Sequence, residues 1–92
     1  MNLTLEAIRI LDTIDRKGSF AAAAVALNRV PSALTYSVRK LEEDLDVLLF
    51  DRRGHRAKLT AAGQELLSEG RHLLRAADEL EQRVKRLSLI HI

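Results

Sequence analysis

Residues 18–40 read Gly18-Ser19-Phe20-Ala21-Ala22-Ala23-Ala24-Val25-Ala26-Leu27-Asn28-Arg29-Val30-Pro31-Ser32-Ala33-Leu34-Thr35-Tyr36-Ser37-Val38-Arg39-Lys40. Gly18 supplies a helix stop, because it tolerates the left-handed backbone of a C′ position. Ser19 offers a hydroxyl to cap a helix over Phe20 to Leu27, whose alanines let a neighbouring backbone come close. Asn28-Arg29-Val30 is a short break. Pro31 then suits the first turn of a new helix, where a missing N–H loses nothing. Val30, Leu34, Val38, Leu41 and Leu45 form an apolar stripe spaced mostly by four. That stripe leaves Ser32, Thr35, Tyr36, Arg39 and Lys40 facing outward. The segment therefore predicts two helices joined by a tight turn, the second with an apolar back and a donor-rich front.

Outward from this pair the pattern continues. Upstream, Leu3, Leu5, Ile8, Leu11 and Ile14 recur at helical spacing, with Asn2 or Thr4 as N-cap. Downstream, the period changes: Val47 to Arg52 and Arg56 to Leu59 predict short strands around the turn Arg53-Gly54-His55. Thr60 is the next N-cap, with Glu65 in the first turns of the helix that it opens. From Ala61 to Leu87 the only helix-weakening residues are Gly63 and Gly70. At 1.5 Å per residue such a helix spans about 40 Å, more than a domain this small can cover. Along it Leu66, Gly70, Leu73, Ala77, Leu80, Val84 and Leu87 alternate by four and three, the spacing of a coiled-coil seam. Near Leu66 this stripe is expected to pack on the chain's own first helix, and beyond Leu73 on a second copy. Gly70 and Ala77 are small enough to let that copy approach closely.

Composition agrees with a small helical domain. The 92 residues are 47% apolar but only 3% aromatic, so one aliphatic core is expected. One Pro and four Gly leave little for a many-turned β architecture. No Cys occurs, which excludes disulfides, thiolate metal sites and Cys nucleophiles. The apolar stretch Ala21 to Leu27 is far too short to span a bilayer, and no signal-peptide pattern opens the chain. A soluble protein of a reducing compartment, the cytoplasm, is expected.

The net charge is only +2, but its distribution is uneven. Arg29, Arg39 and Lys40 lie in an acid-free segment. Glu42, Glu43, Asp44, Asp46 and Asp51 come next, without a base among them. Arg52, Arg53, Arg56 and Lys58 then lie in a second acid-free segment. Two basic segments suit a polyanion, because each Lys or Arg placed on a phosphate releases condensed counterions. Helix, turn, polar-faced helix and basic hairpin together describe a winged helix-turn-helix: three helices plus a short β-hairpin wing, followed by a long linker helix. In such a fold one helix enters the major groove and the wing reaches the adjacent backbone or minor groove.

The motifs Gly18-Ser19-Phe20, Ala23-Ala24, Ser32-Ala33-Leu34-Thr35, Leu41-Glu42-Glu43-Asp44-Leu45, Leu49-Phe50-Asp51-Arg52 and Leu59-Thr60-Ala61-Ala62-Gly63 occur in order. Together they closely resemble the N-terminal DNA-binding domain of LysR-type transcriptional regulators, over about residues 1–86. The resemblance implies a winged helix-turn-helix over 1–60 and a linker and dimerisation helix over 61–86. It also implies homodimers on interrupted inverted repeats of double-stranded DNA, with higher oligomers open to the full-length protein. A small-molecule effector would act only through a further C-terminal domain. Carried over by position, the DNA-reading helix contributes Pro31, Ser32, Thr35, Tyr36, Arg39 and Lys40. Arg29 sits at the turn, Arg52 resembles the family's backbone-anchoring arginine, and Arg53, His55 and Arg56 lie on the wing. The dimer interface falls on Leu66, Gly70, Leu73, Ala77, Leu80 and Val84.

Three positions depart from the family pattern. Tyr36 stands where an Arg is common, which implies a different operator preference. His55 replaces a frequent wing-tip Arg. Asp46 replaces the usual Gly after the reading helix, a position where Asp tolerates a left-handed backbone better than most residues.

The remaining polar residues offer little chemistry. The three His are isolated, without metal-ligand spacing. Glu42-Glu43-Asp44 read as solvated surface, since consecutive acids on a helix point in different directions. No Ser/His/Asp grouping, phosphate loop or convergent carboxylate pair occurs, so no catalytic residue, metal or cofactor is assigned and an enzyme is not expected. Leu87-Ser88-Leu89-Ile90-His91-Ile92 drops the charged helical texture. The codons CTG TCT CTT ATA CAC ATC, the start of a common transposase adapter, encode this hexapeptide. Residues 87–92 are therefore expected to be non-native, with the natural chain continuing past Arg86 into an effector domain. The rival to DNA binding is a helical protein–protein dimerisation module that uses the Tyr36 face for another protein.

Overall fold

The computed structural model describes residues 3–54 and 56–91, so that Met1, the cap candidate Asn2, His55 and Ile92 lie outside the described residues. Helix α1 spans Leu5–Lys17 and starts at Thr4, whose Oγ1 accepts from the Ala7 N–H at 3.0 Å. It ends at Gly18, whose φ of 88° places it in the left-handed region open to glycine. Ile8, Leu11 and Ile14 are buried as their spacing predicts, together with Ile10. Leu5 is a correction: it stands half exposed in the first turn, beyond the end of the core.

Helix α2, Phe20–Leu27, is capped by the Ser19 hydroxyl, which accepts from the Ala22 N–H at 3.1 Å. Ala23 and Ala24 are buried, where their small side chains let α2 lie close to its neighbours. Asn28 closes α2 with φ 55°, and α3, Pro31–Leu45, begins with Pro in its first turn. Leu34, Val38 and Leu41 enter the core. The outer members of the predicted stripe do not, because Val30 and Leu45 sit at the two ends of the helix and are 63% and 43% exposed. Asp46 adopts φ 54° and ends α3, the left-handed role its sequence position implies.

The wing is shorter than predicted. Strands β1, Phe50–Asp51, and β2, Lys58–Leu59, pair antiparallel with Phe50 opposite Leu59 and Asp51 opposite Lys58. One ladder donor that a longer hairpin would use is committed elsewhere, and an outward-facing N–H ties the second strand to another element. The Leu49 N–H donates to the Glu42 carboxylate at 2.7 Å, and the Ala57 N–H donates to the Gly18 carbonyl at 3.1 Å. The hairpin is thereby tied to α3 at one foot and to the α1–α2 turn at the other.

Helix α4 spans Ala61–His91. Thr60 caps it and also anchors it: Oγ1 accepts from the Gly63 N–H at 3.1 Å and donates to the Leu48 carbonyl at 2.6 Å. The helix passes Arg86 without a break, since 87–91 contains neither Gly nor Pro. Leu67 and Leu74 are buried in the same core cluster as α1, and Leu66 packs beside them half-buried. Gly70 is a correction to the predicted seam. A Cβ there would lie 2.8 Å from Ile8 Cγ2, so the close approach it permits is that of the chain's own α1. Ion pairs hold the same crossing: Arg71 reaches Asp12 and Asp15, each at 2.9 Å, and Arg9 reaches Asp78 at 2.6 Å. Beyond this region α4 projects as a rod, and the molecule measures 53 × 26 × 19 Å. Leu73, Leu80, Val84 and Leu87 are exposed on the rod, and Ala77 is half-buried.

Candidate nucleic-acid interface

With Leu34, Val38 and Leu41 buried, the opposite side of α3 must face solvent. Pro31, Ser32, Tyr36, Arg39 and Lys40 are exposed and Thr35 is half-buried. The Thr35 hydroxyl donates to the Pro31 carbonyl at 3.2 Å, which leaves its lone pairs to accept from an incoming donor. Tyr36 is 68% exposed and stands toward the α1 side of this face.

The basic residues fall on two flanks. On the side of α1, Arg29 and Lys40 line a groove with Tyr36 and Ser37, and Arg29 pairs with Glu6. On the side of the wing, Arg39, Arg52 and Arg53 line a groove together with Leu48, Phe50 and the acids Glu42 and Asp51. Arg53 is tied to Asp51: its Nη2 lies 2.8 Å and its Nε 3.0 Å from the two carboxylate oxygens. The backbone N–H of Arg53 adds a third bond to Asp51 at 3.0 Å. These donors, the guanidinium first, hold the Asp51 carboxyl down to about 2. Arg56 folds against the α1–α2 turn, with Nη2 2.6 Å from where a Cβ on Gly18 would stand. Among the described residues Arg39, Lys40 and Arg56 have no acidic partner within ion-pair distance.

Arg52 is the most constrained of the basic residues. Its Cζ sits 4.4 Å from the centre of the Phe20 ring, and its Nη2 is 3.7 Å from Glu42 Oε1. Phe20 in turn meets Phe50 edge-on at 5.6 Å. Glu42 corrects the reading of Glu42-Glu43-Asp44 as solvated surface: Glu43 and Asp44 are exposed, but Glu42 is 8% exposed and accepts from the Leu49 N–H. The sequence does carry a signal for it. Leu34, Val38 and Glu42 continue one spacing of four, so Glu42 lies on the buried stripe rather than on the face of its acidic neighbours. Phe20 was readable only as an apolar helix residue, because its use depends on Arg52 arriving from a different element.

Thus Tyr36, Lys40 and Arg29 gather on one flank, and Arg39, Arg52 and Arg53 on the other, while Arg56 stands apart at the α1–α2 turn. Among the described residues no group of three His, Asp or Glu side chains converges as a metal site, and no helix is long and apolar enough to cross a membrane.

Comparison with known proteins gives a consistent result. The description "Bacterial regulatory helix-turn-helix protein, lysR family" matches residues 5–64. The Probable HTH-type transcriptional regulator YhaJ of Escherichia coli is 67% identical over 78 residues, 85% of this chain and 26% of that protein. The crystal structure of the BenM DBD with catB site 1 DNA superposes with TM-score 0.90 at 26% identity, covering 98% of this chain and 97% of that one. The complex of the CbnR DBD with DNA gives 0.85 at 28% identity, over 94% and 99% of the two chains. The chain spans about a quarter of the length of the curated relatives it matches. Its fold is the winged helix-turn-helix, and the chain belongs to the lysR family of bacterial regulatory helix-turn-helix proteins.

Proposed function

We propose that the chain binds double-stranded DNA sequence-specifically, as the DNA-binding part of a LysR-type transcription regulator. The observation that carries this reading is the two-sided placement of positive charge around α3. An exposed helix with Thr35 and Tyr36 at its front is flanked by Arg29 and Lys40 on one side and by Arg39, Arg52 and Arg53 on the other. Side chains of the first set are suited to base edges, and those of the flanks to phosphates that hold the register. The solved complexes of BenM and CbnR DBDs with DNA, which share this fold, support the same assignment.

Two copies would pair through the exposed stripe Leu73, Leu80 and Val84 of α4, each reading one half of an interrupted inverted repeat. No enzymatic step and no cofactor enters this reading. Effector binding is assigned to sequence beyond this segment, and the working location to the cytoplasm at the nucleoid.

Fluorescence anisotropy with a labelled duplex over a salt series tests the proposal. Log affinity should fall with log salt by about 0.9 for each phosphate neutralised. A flat dependence would refute it and favour the protein–protein module that uses the Tyr36 face.

A further inference from the structure

Glu42 is a buried carboxylate with no part in base reading or phosphate binding, and it sits beside a residue proposed to hold phosphate. An acid in that position lowers the local positive potential, so a charge argument alone counts it as a handicap for binding DNA. Its contacts point to a different role. Oε2 accepts from the Leu49 N–H at 2.7 Å and, more weakly, from the Phe50 N–H at 3.4 Å. Oε1 faces Arg52 Nη2 at 3.7 Å. One carboxylate on α3 therefore holds the start of the wing through its backbone and steers the arginine two residues further on. The other side of the Arg52 guanidinium rests on Phe20 from α2, at 4.4 Å, and Phe20 is itself braced by Phe50. Arg52 is thus gripped between two helices, with its side chain 32% exposed, whereas the Arg53 side chain is 90% exposed and tied only to Asp51, two residues before it.

We propose that Glu42 is a positioning residue for DNA binding: it sets the wing against α3 and orients Arg52 toward the backbone phosphate beside the reading helix. The proposal rests on the DNA-binding reading. Its physical content is preorganisation. A guanidinium held in place before the encounter loses less rotamer freedom on meeting a phosphate, which strengthens the complex by more than the nearby negative charge weakens it.

The two effects have opposite signs, which makes the test decisive. Glu42→Gln retains an oxygen for the Leu49 N–H and adds one unit of positive charge to the chain. Charge alone predicts tighter binding. Loss of positioning predicts binding weaker by about three- to ten-fold, with the magnitude of the salt slope reduced by up to about 0.9. The measurement is anisotropy of the whole chain with a fluorescein-labelled mixed-sequence duplex at several salt concentrations, using wild type, Glu42→Gln, Arg52→Ala and the double variant. In the Arg52→Ala background the Glu42→Gln change should no longer weaken binding. Equal or tighter binding by Glu42→Gln, an unchanged slope, or the same loss in both backgrounds would overturn the proposal. If circular dichroism shows Glu42→Gln to be unfolded, Phe20→Leu examines the arrangement from the opposite side with Glu42 intact. Removing the ring beneath Arg52 should weaken binding and reduce the slope, and wild-type behaviour there would overturn the proposal. A wild-type chain indifferent to salt would instead remove the DNA-binding reading itself, and the role of Glu42 with it.

Discussion

Gly63, in the first turn of α4, lies tightly against Leu49 and Leu59, and replacing it with Ala should destabilise the domain even though Ala is the better helix former. The gain from propensity is at most about 1 kcal/mol. Against it, a Cβ at this position would overlap the Leu49 carbonyl oxygen and come within 3.0 Å of Leu59 Cδ2. The carbonyl belongs to the backbone, and it also accepts from the Thr60 N–H at 3.0 Å, so it cannot move aside without loosening the cap of α4. Overpacking of this kind costs about 1–3 kcal/mol, and a weakened hydrogen bond about 0.5–1.5 kcal/mol more. The net expectation is a loss of about 1–3 kcal/mol, or a Tm lower by about 5–20 °C for a domain of this size. Gly54→Ala is the control, because nothing lies within 4 Å of a Cβ there. Thermal unfolding followed by circular dichroism reads both variants. A Gly63→Ala chain that melts at or above wild type, or a Gly54→Ala chain that falls as far, would refute the packing argument.

The same geometry sets other expectations. Replacing Thr35 or Tyr36 by Ala should redistribute preference among operator sequences by about 1–3 kcal/mol at one base position, read by selecting bound duplexes from a random pool. A uniform loss across all sequences would contradict a base-reading role. Leu80→Glu should shift sedimentation toward monomer while leaving the folded monomer intact, since Leu80 is exposed on the rod, and an unchanged dimer would exclude the proposed stripe. Partial burial alone would raise the Asp12 carboxyl, but hydrogen bonds from Arg71 and Arg16 outweigh it and hold the group below its ordinary value. A depressed carboxylate contributes stability that is present above its unfolded value of about 3.9 and is lost as pH falls through the folded one. The Tm difference between wild type and Arg71→Ala should therefore shrink as pH is lowered from about 6 to about 2. A difference that stays constant across that range would show that Arg71 acts through packing alone.

Much of the molecule is determined by the sequence alone, wherever the physics is local. Thr4, Ser19 and Thr60 cap helices through bonds to N–H groups three residues ahead, and Gly18 and Asp46 end helices by adopting a left-handed backbone. Pro31 starts α3 for an equally local reason. These interactions depend only on residue type and short spacing, so the order of the helices, the outward face of α3 and the existence of a wing could all be read from one chain.

Tertiary structure decided what spacing leaves degenerate. Leu66-Leu67 and Leu73-Leu74 are neighbouring pairs seven residues apart, and either member of each continues a coiled-coil repeat equally well. The seam predicted from Leu66, Gly70 and Leu73 divides because Ile8 of α1 packs against Gly70 and Leu67 and Leu74 join the core cluster, leaving Leu73 outside. Glu42 stands among acids, yet Leu49 and Phe50 return to it from beyond the end of α3, which converts a surface-like residue into the link between wing and helix. The grip on Arg52 draws on α2 and α3 together, and that on Arg71 on residues nearly sixty positions upstream. A group's partner is legible in sequence when the helix itself places it one turn away; when the partner arrives from another element, only packing in three dimensions selects it.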